Sequence, residues 1–365
     1  MRILSYFVNA NSAMAVTKRQ ILFCLFVVLS LGVDGALSQS ADDGAKQLQV
    51  ELGRTLFADV SLSHDGRTSC QSCHNPAHAY ADSHPRSMGT DGRVGTRNAP
   101  SLVGIGNDTT FFWDGRRTKL EDVVIDPFTN PVELGLPSVG DVIARLRLEP
   151  NVMGKFRAAF PTAPDVPSIA QVSFALAAFV RSLDTGTSAF DQMRTQQHAL
   201  SAEADRGRRL FDGIAGCSSC HAMANEAATF SDGQYHHSGI GAATQSVTLP
   251  ELTKSVVAAS LDATALGPKV LTDADWSALG RFTVTHKPAD IGAFRTPSLR
   301  NVAMTAPYMH DGSIATLSAA VDHEIYYRGF SSGHPTNLTQ TERQAIVAFL
   351  ETLTDVDHQP NRSQH

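Results

Sequence analysis

The sequence predicts a mainly α-helical protein of two tandem domains of one design, wrapped by long loops. Three observations carry this: an ordered set of motifs that occurs twice, apolar residues at helical spacing, and a Cys-x-x-Cys-His pattern placed once in each repeat. The chain has 365 residues, enough for two compact domains, and its 42% hydrophobic and 18% charged content is that of a folded soluble protein.

The beginning of the chain has a different character. Lys18 and Arg19 precede an apolar run from Ile21 to Val33, and small residues follow at Ala36 and Ser38. A basic flank, a short apolar core and a small-residue exit describe a secretory signal peptide, assigned to residues 1–38, with Met1 or Met14 as initiator. The run is short for a bilayer crossing, so no stable membrane anchor is expected. The net charge of -6 becomes more negative once this leader leaves. An acidic surface argues against a nucleic-acid partner and suits a basic or dipolar protein.

The repeat is read in order. Gly53-Arg-Thr-Leu-Phe57 is echoed by Gly207-Arg-Arg-Leu-Phe211, and Arg97-Asn-Ala-Pro-Ser-Leu102 by Arg295-Thr-Pro-Ser-Leu299. Phe112-Trp-Asp-Gly-Arg116 is echoed by Met309-His-Asp-Gly-Ser313, so Trp113 and His310 are counterparts. Each half next opens a helix, at Leu120 and at Leu317, and closes with an apolar helix, Phe174 to Leu183 against Ile346 to Leu353. Leu48, Leu52 and Leu56 recur at helical spacing, as do Ile169, Val172, Leu176 and Phe179. Gly, Pro, Asp and Asn fill the loops Asp82–Pro100 and Thr229–Pro250. The expected domains are 39–184 and 185–356, with Asp184–Leu200 as connection and 357–365 as a frayed tail.

Cysteine usage gives the chemistry. Cys24 leaves with the leader, and the other four sit as Cys70-Gln-Ser-Cys73-His74 and Cys217-Ser-Ser-Cys220-His221. A four-cysteine zinc site or two redox dithiols would not need the repeated histidine. With it, each motif is the c-type haem attachment signature: two thiols bond the vinyl groups, and His74 or His221 reaches iron from the proximal side. Two covalent haems in two cytochrome c-like domains follow. Placing Leu120 on Leu317 sets Pro127 opposite Glu324. If that segment lies over the distal face in both halves, proline offers no side-chain donor there and the first iron's sixth position could stay open. The second iron meets Glu324, flanked by His323, Tyr326 and Tyr327, several of which could bind it.

From about Glu51 to Thr354 the chain resembles the bacterial di-haem cytochrome c peroxidase/MauG family. The resemblance rests on both Cys-x-x-Cys-His sites, Arg97–Leu102, Phe112–Arg116, Asn130-Pro-Val-Glu133 and Arg295–Gly312 taken together. It implies a periplasmic oxidoreductase whose N-terminal haem activates hydrogen peroxide beneath a glutamate, matched by Glu133. A carboxylate there takes a proton from peroxide and returns it to the leaving oxygen. Val123 stands where the family often has a glutamine. Trp113 matches the family's inter-haem tryptophan, and His310 is expected near the second haem. Asn98, Thr305 and Pro307 match its calcium ligands.

The family has two branches. Its peroxidases close the second haem with methionine, whereas MauG-like members carry a tyrosine. This chain has Glu324 at the methionine position, and its Tyr-Tyr-Arg-Gly ending, shifted by two residues, points to Tyr326 as distal ligand, with His323 and Glu324 as rivals. Met304 and Met309 are read as packing residues. His84 and Met88 are the loop's only candidates for closing the first haem; His64, His78, His236 and His237 are read as polar loop residues. The expected function is MauG-like: peroxide drives high-valent haem iron to oxidise an aromatic residue of a partner protein. The alternatives are a cytochrome-c peroxidase drawing electrons from a small cytochrome or copper protein, and a non-enzymatic di-haem electron carrier.

Overall fold

Leu52 and Leu56, one turn apart on a helix that includes residues 48–58, are fully buried, while Leu48 stays exposed at its start. That helix crosses the helix Ile169–Ser182, whose Val172, Ala175, Leu176 and Phe179 form its buried stripe. Around them Leu62, Phe128, Leu146 and Phe156 complete a first apolar core. The second half repeats the plan. Ala202–Asp212 crosses Gln340–Glu351, and Phe211, Phe230, Ile346 and Phe349 are the centre of a second core. Both closing helices start with a reciprocal capping box, Ser168 with Gln171 and Thr339 with Glu342.

The repeated glycine has a packing reason. A Cβ on Gly53 would lie 1.9 Å from the carbonyl oxygen of Ala175, and one on Gly207 would lie 1.8 Å from that of Ala345. Each glycine therefore lets two helix backbones meet. Gly53→Ala and Gly207→Ala are each expected to lose about 1–3 kcal/mol of stability by overpacking. Chemical denaturation of the single variants checks this, and unchanged midpoints would show that the helices part freely.

The computed structural model describes residues 44–223, 228–241, 248–333 and 335–355. The leader assigned to 1–38 and the tail at 357–365 lie outside them. The described residues from Leu48 to Asp355 form one compact unit. The fold is mainly helical, and no helix of the described residues is long and apolar enough to cross a membrane. Two departures from the sequence expectation matter. Tyr235–His237 pairs antiparallel with Ala293–Arg295, placing Tyr235 opposite Arg295. A third apolar cluster, with Val256, Leu266, Val270, Trp276, Leu279 and Phe282, occupies helices between Leu249 and Thr285 that have no counterpart in the first half.

The two halves also differ after their second motif. In the first, Leu120–Val123 stops and Asp126–Thr129 restarts with Pro127 in its first turn. In the second, Leu317–Ser332 runs unbroken. Proline lacks the N–H that a continuous helix needs there, which accounts for the break.

Candidate functional site

Cys70–Cys73 forms a single helical turn capped by Ser69, and Cys217–Ser219 forms a 3-10 turn. The histidine after each pair is fixed in the same way. His74 Nδ1 donates to the carbonyl of Tyr80 at 3.0 Å, and His221 Nδ1 donates to that of Phe230 at 2.8 Å. Tyr80 and Phe230 both hold left-handed backbone, with φ of 55° and 53°, a conformation that costs energy for a large side chain. Each carbonyl fixes a tautomer in which Nε2 keeps its lone pair for a metal. Burial lowers the pKa of both imidazoles, which keeps them neutral. Burial also pushes Cys70 and Cys73 up to about 12 and Cys217 up to about 11. Burial therefore disfavours the thiolate form at these three. None of the four is in a disulfide.

Cys70, Cys73 and His74 line a cavity whose other walls are largely apolar, including Phe57, Leu102, Phe111, Leu120, Val124, Leu176 and Val180. Pro127 and Glu133 line it too, as does Trp113. Arg116 and Arg295 supply positive charge at the wall, and each keeps a buried Nε–H without an acceptor. An apolar slot with paired thiols, an imidazole lone pair and two unspent guanidinium donors fits a porphyrin that carries carboxylates. Glu133 is held by its backbone, which accepts from Thr90 N at 2.8 Å and donates to Asn130 at 3.1 Å. Burial raises its carboxyl to about 7; Arg116 and Asn130 oppose the rise and Asp126 adds to it. A carboxyl in that range can exchange protons at neutral pH.

The second half closes this cavity. Leu271, Arg295 and Pro297 complete the wall. Thr96 Oγ1 donates to the carbonyl of Val270 at 2.5 Å, and Arg97 reaches Ser277 through Nε and Nη2, both at 2.9 Å. Arg97 and Arg116 share Asp114, itself fully buried, at 2.9 Å each. Trp113 Nε1 donates to the Asn98 carbonyl at 2.9 Å, its own carbonyl accepts from Arg295 N, and Asn98 N donates to the His310 carbonyl. His310 is buried and stacks on Phe294 with ring centroids 3.7 Å apart. Burial and the Arg97 charge push its pKa down to about 3, so it is neutral.

Around the second thiol pair the helix Leu317–Ser332 supplies the groups. Val321 and Ile325 face the core, and Glu324 lies close enough to Cys217 for its charge to raise that thiol. Tyr326 is 74% exposed, so the structure does not bring it to the pair. Cys220, Asp232 and His236 gather ligand atoms within 4.8 Å of one another. Cys220 belongs to the second attachment motif, and His236 Nε2 is bound to Asp232 at 2.7 Å.

The family model described as di-haem cytochrome c peroxidase matches residues 47–199. The methylamine utilization protein MauG of Methylorubrum extorquens is 33% identical, over 84% of this chain and 78% of its own. The chain belongs to the di-haem cytochrome c peroxidase/MauG family. Cytochrome-c peroxidase IdrP1 of Denitromonas iodatirespirans is also 33% identical, over 86% of this chain and 83% of its own. Among solved structures, a MauG-like protein associated with microbial copper homeostasis is 30% identical with a TM-score of 0.70, covering 86% of this chain and 91% of that one. Membership makes the chain a haem-dependent oxidoreductase of the peroxidase type.

The other family positions are scattered in their bonding. Asn98 is buried and donates from Nδ2 to the His84 carbonyl at 3.1 Å. Thr305 Oγ1 donates to Val302, and Pro307 follows a cis peptide. Among the described residues no hydrogen bond joins these three. His84 and Met88 are exposed, and neither lines the cavity. Sequence reasoning missed the reach of Leu271 and Arg295 into the first cavity. The Arg295-Thr-Pro-Ser-Leu299 motif marked that segment, and nothing in it told which half the arginine serves.

Proposed function

We propose that this protein is an exported, periplasmic di-haem enzyme that spends hydrogen peroxide on oxidising an aromatic side chain of a partner protein. In this reading residues 39–184 handle peroxide and residues 185–356 handle electrons. The observation that carries it is Glu133, a carboxyl raised to about 7 that lines the same cavity as Cys70, Cys73 and His74. Cys70, Cys73 and His74 would hold the haem, which would supply redox-active iron, a chemistry the side chains themselves lack.

The chain's own residues do the rest. His74 offers Nε2 because Tyr80 holds its Nδ1–H. Pro127 presents no side-chain donor, and the walls around it are largely apolar. Ionised Glu133 takes a proton from peroxide and delivers it to the departing oxygen, which leaves as water. Trp113, pinned at both Nε1 and its carbonyl, stands where electrons pass between the halves. The likeness to MauG and to a MauG-like protein associated with copper homeostasis favours the MauG-like branch, and a protein substrate is part of that reading. Calcium at Asn98, Thr305 and Pro307 is part of the same reading.

The equal likeness to a cytochrome-c peroxidase supports a second reading, in which a small cytochrome or copper protein donates the electrons. Peroxide added to the fully oxidised holoprotein, with no donor present, separates the two. A prompt spectral change at the first haem is expected. A reaction seen only after half-reduction would favour the peroxidase, and two inert haems would leave an electron carrier.

A further inference from the structure

In each half a glutamate lies near the first thiol of the pair, Glu133 near Cys70 and Glu324 near Cys217. Glu324 raises Cys217 through its charge, as Glu133 does Cys70. The helix Leu317–Ser332 decides which side chains can do this. Successive residues turn by about 100°, so Val321 and Ile325, which enter the core, fix the inward face. Glu324 and Arg328, one turn apart, flank that face. Tyr326 points roughly opposite to Glu324, in keeping with its 74% exposure.

The neighbouring candidates are engaged elsewhere. His323 Nε2 donates to the Ser238 carbonyl at 2.7 Å. Tyr327 lies against Gly239, where a Cβ would come within 2.3 Å of its ring, and it runs nearly parallel to His323. Glu324 is different. It is half-buried, and among the described residues no hydrogen bond or ion pair holds its carboxylate. Arg328 on the same face reaches the attachment turn, with Nη1 donating to Ser219 Oγ at 3.2 Å and Nη2 packed at Gly216. With no protein partner on its carboxylate among the described residues, Glu324 is free to bind a group held beside the attachment turn that Arg328 reaches.

We propose that Glu324, and not Tyr326, is the distal ligand of the second haem iron, giving it a histidine–carboxylate pair with Arg328 beside it to temper the charge. This rests on the two-haem reading above. A hard anionic oxygen favours oxidised iron, so the second centre is an electron reservoir poised to give electrons up.

The test uses the oxidised holoprotein and its Glu324→Gln, Glu324→Met and Tyr326→Phe variants. Electron paramagnetic resonance and absorbance follow the second haem, and mass spectrometry counts porphyrins. Glu324→Gln is expected to change the wild-type second-haem signal and, once reduced, to bind carbon monoxide at the second haem. Glu324→Met is expected to restore a six-coordinate centre at a more positive potential. Tyr326→Phe should match wild type. A second-haem signal unchanged in both Glu324 variants, or altered in Tyr326→Phe, overturns the assignment. A wild-type chain without two porphyrins instead overturns the reading beneath it. Peroxide reactivity of the first haem is scored separately and bears only on that reading.

Discussion

Glu133→Gln is expected to slow the reaction of the oxidised holoprotein with peroxide by about 10²–10⁴-fold, the usual loss when a positioned acid–base group goes. Stopped-flow absorbance measures it directly. Glutamine keeps the size of the side chain, so porphyrin content and the His74 environment should stay as they are. The pH profile gives the sign. Burial holds the Glu133 proton up to about 7, and only the ionised form can act as a base. The wild-type rate should therefore climb through that pH and level off, whereas the Gln variant should stay flat. Stability runs the other way. Below the ordinary carboxyl range the group is protonated in both states and contributes nothing. Between that range and about 7 the unfolded chain ionises while the folded one does not, so stability falls as pH rises. A glutamine variant with the wild-type rate and slope would remove Glu133 from the chemistry.

Asp114→Ala should be among the most damaging single changes in the protein. Asp114 is fully inaccessible and is shared by Arg97 and Arg116, both buried. Burial alone would raise its pKa, but the Arg116 and Arg97 charges reverse that and hold it below the usual carboxylate range. Removing one member of such a set strands the others, at a cost of about 3–5 kcal/mol. Here two guanidinium groups are stranded. Because Arg97 also grips Ser277, the fault reaches the helices of the second half. The sign with pH follows from the lowered value. The stabilisation is in place above the ordinary carboxyl range and is lost as pH falls toward the folded value. Denaturation of the Ala variant tests the magnitude, and a loss below about 1 kcal/mol would show that water reaches the arginines.

Much of this was legible in the residues. The tandem motifs placed the paired thiols, their histidines and the crossing helices, because each depends on local spacing. The glycine at 53 and at 207 was visible as an echo, though the backbone approach behind it was not. Tyr326 shows where pattern matching stops. A two-residue offset in a Tyr-Tyr-Arg-Gly ending looks small on paper, yet on a helix it is a rotation of about 200°, enough to turn a side chain outward. Once the helix is known to run unbroken from Leu317, that phase follows. The cluster between Val256 and Phe282 was illegible for another reason. It has no echo in the first half, so comparing the repeats could not say that Val270 and Ser277 brace the first cavity, or that Leu271 completes its wall.

That borrowed wall makes the first cavity a property of the whole chain, because Leu271, Arg295 and Pro297 all come from the second half. A fragment ending near Asp184 would keep Cys70, Cys73 and His74 and lack that side of the wall, leaving the cavity open to solvent there.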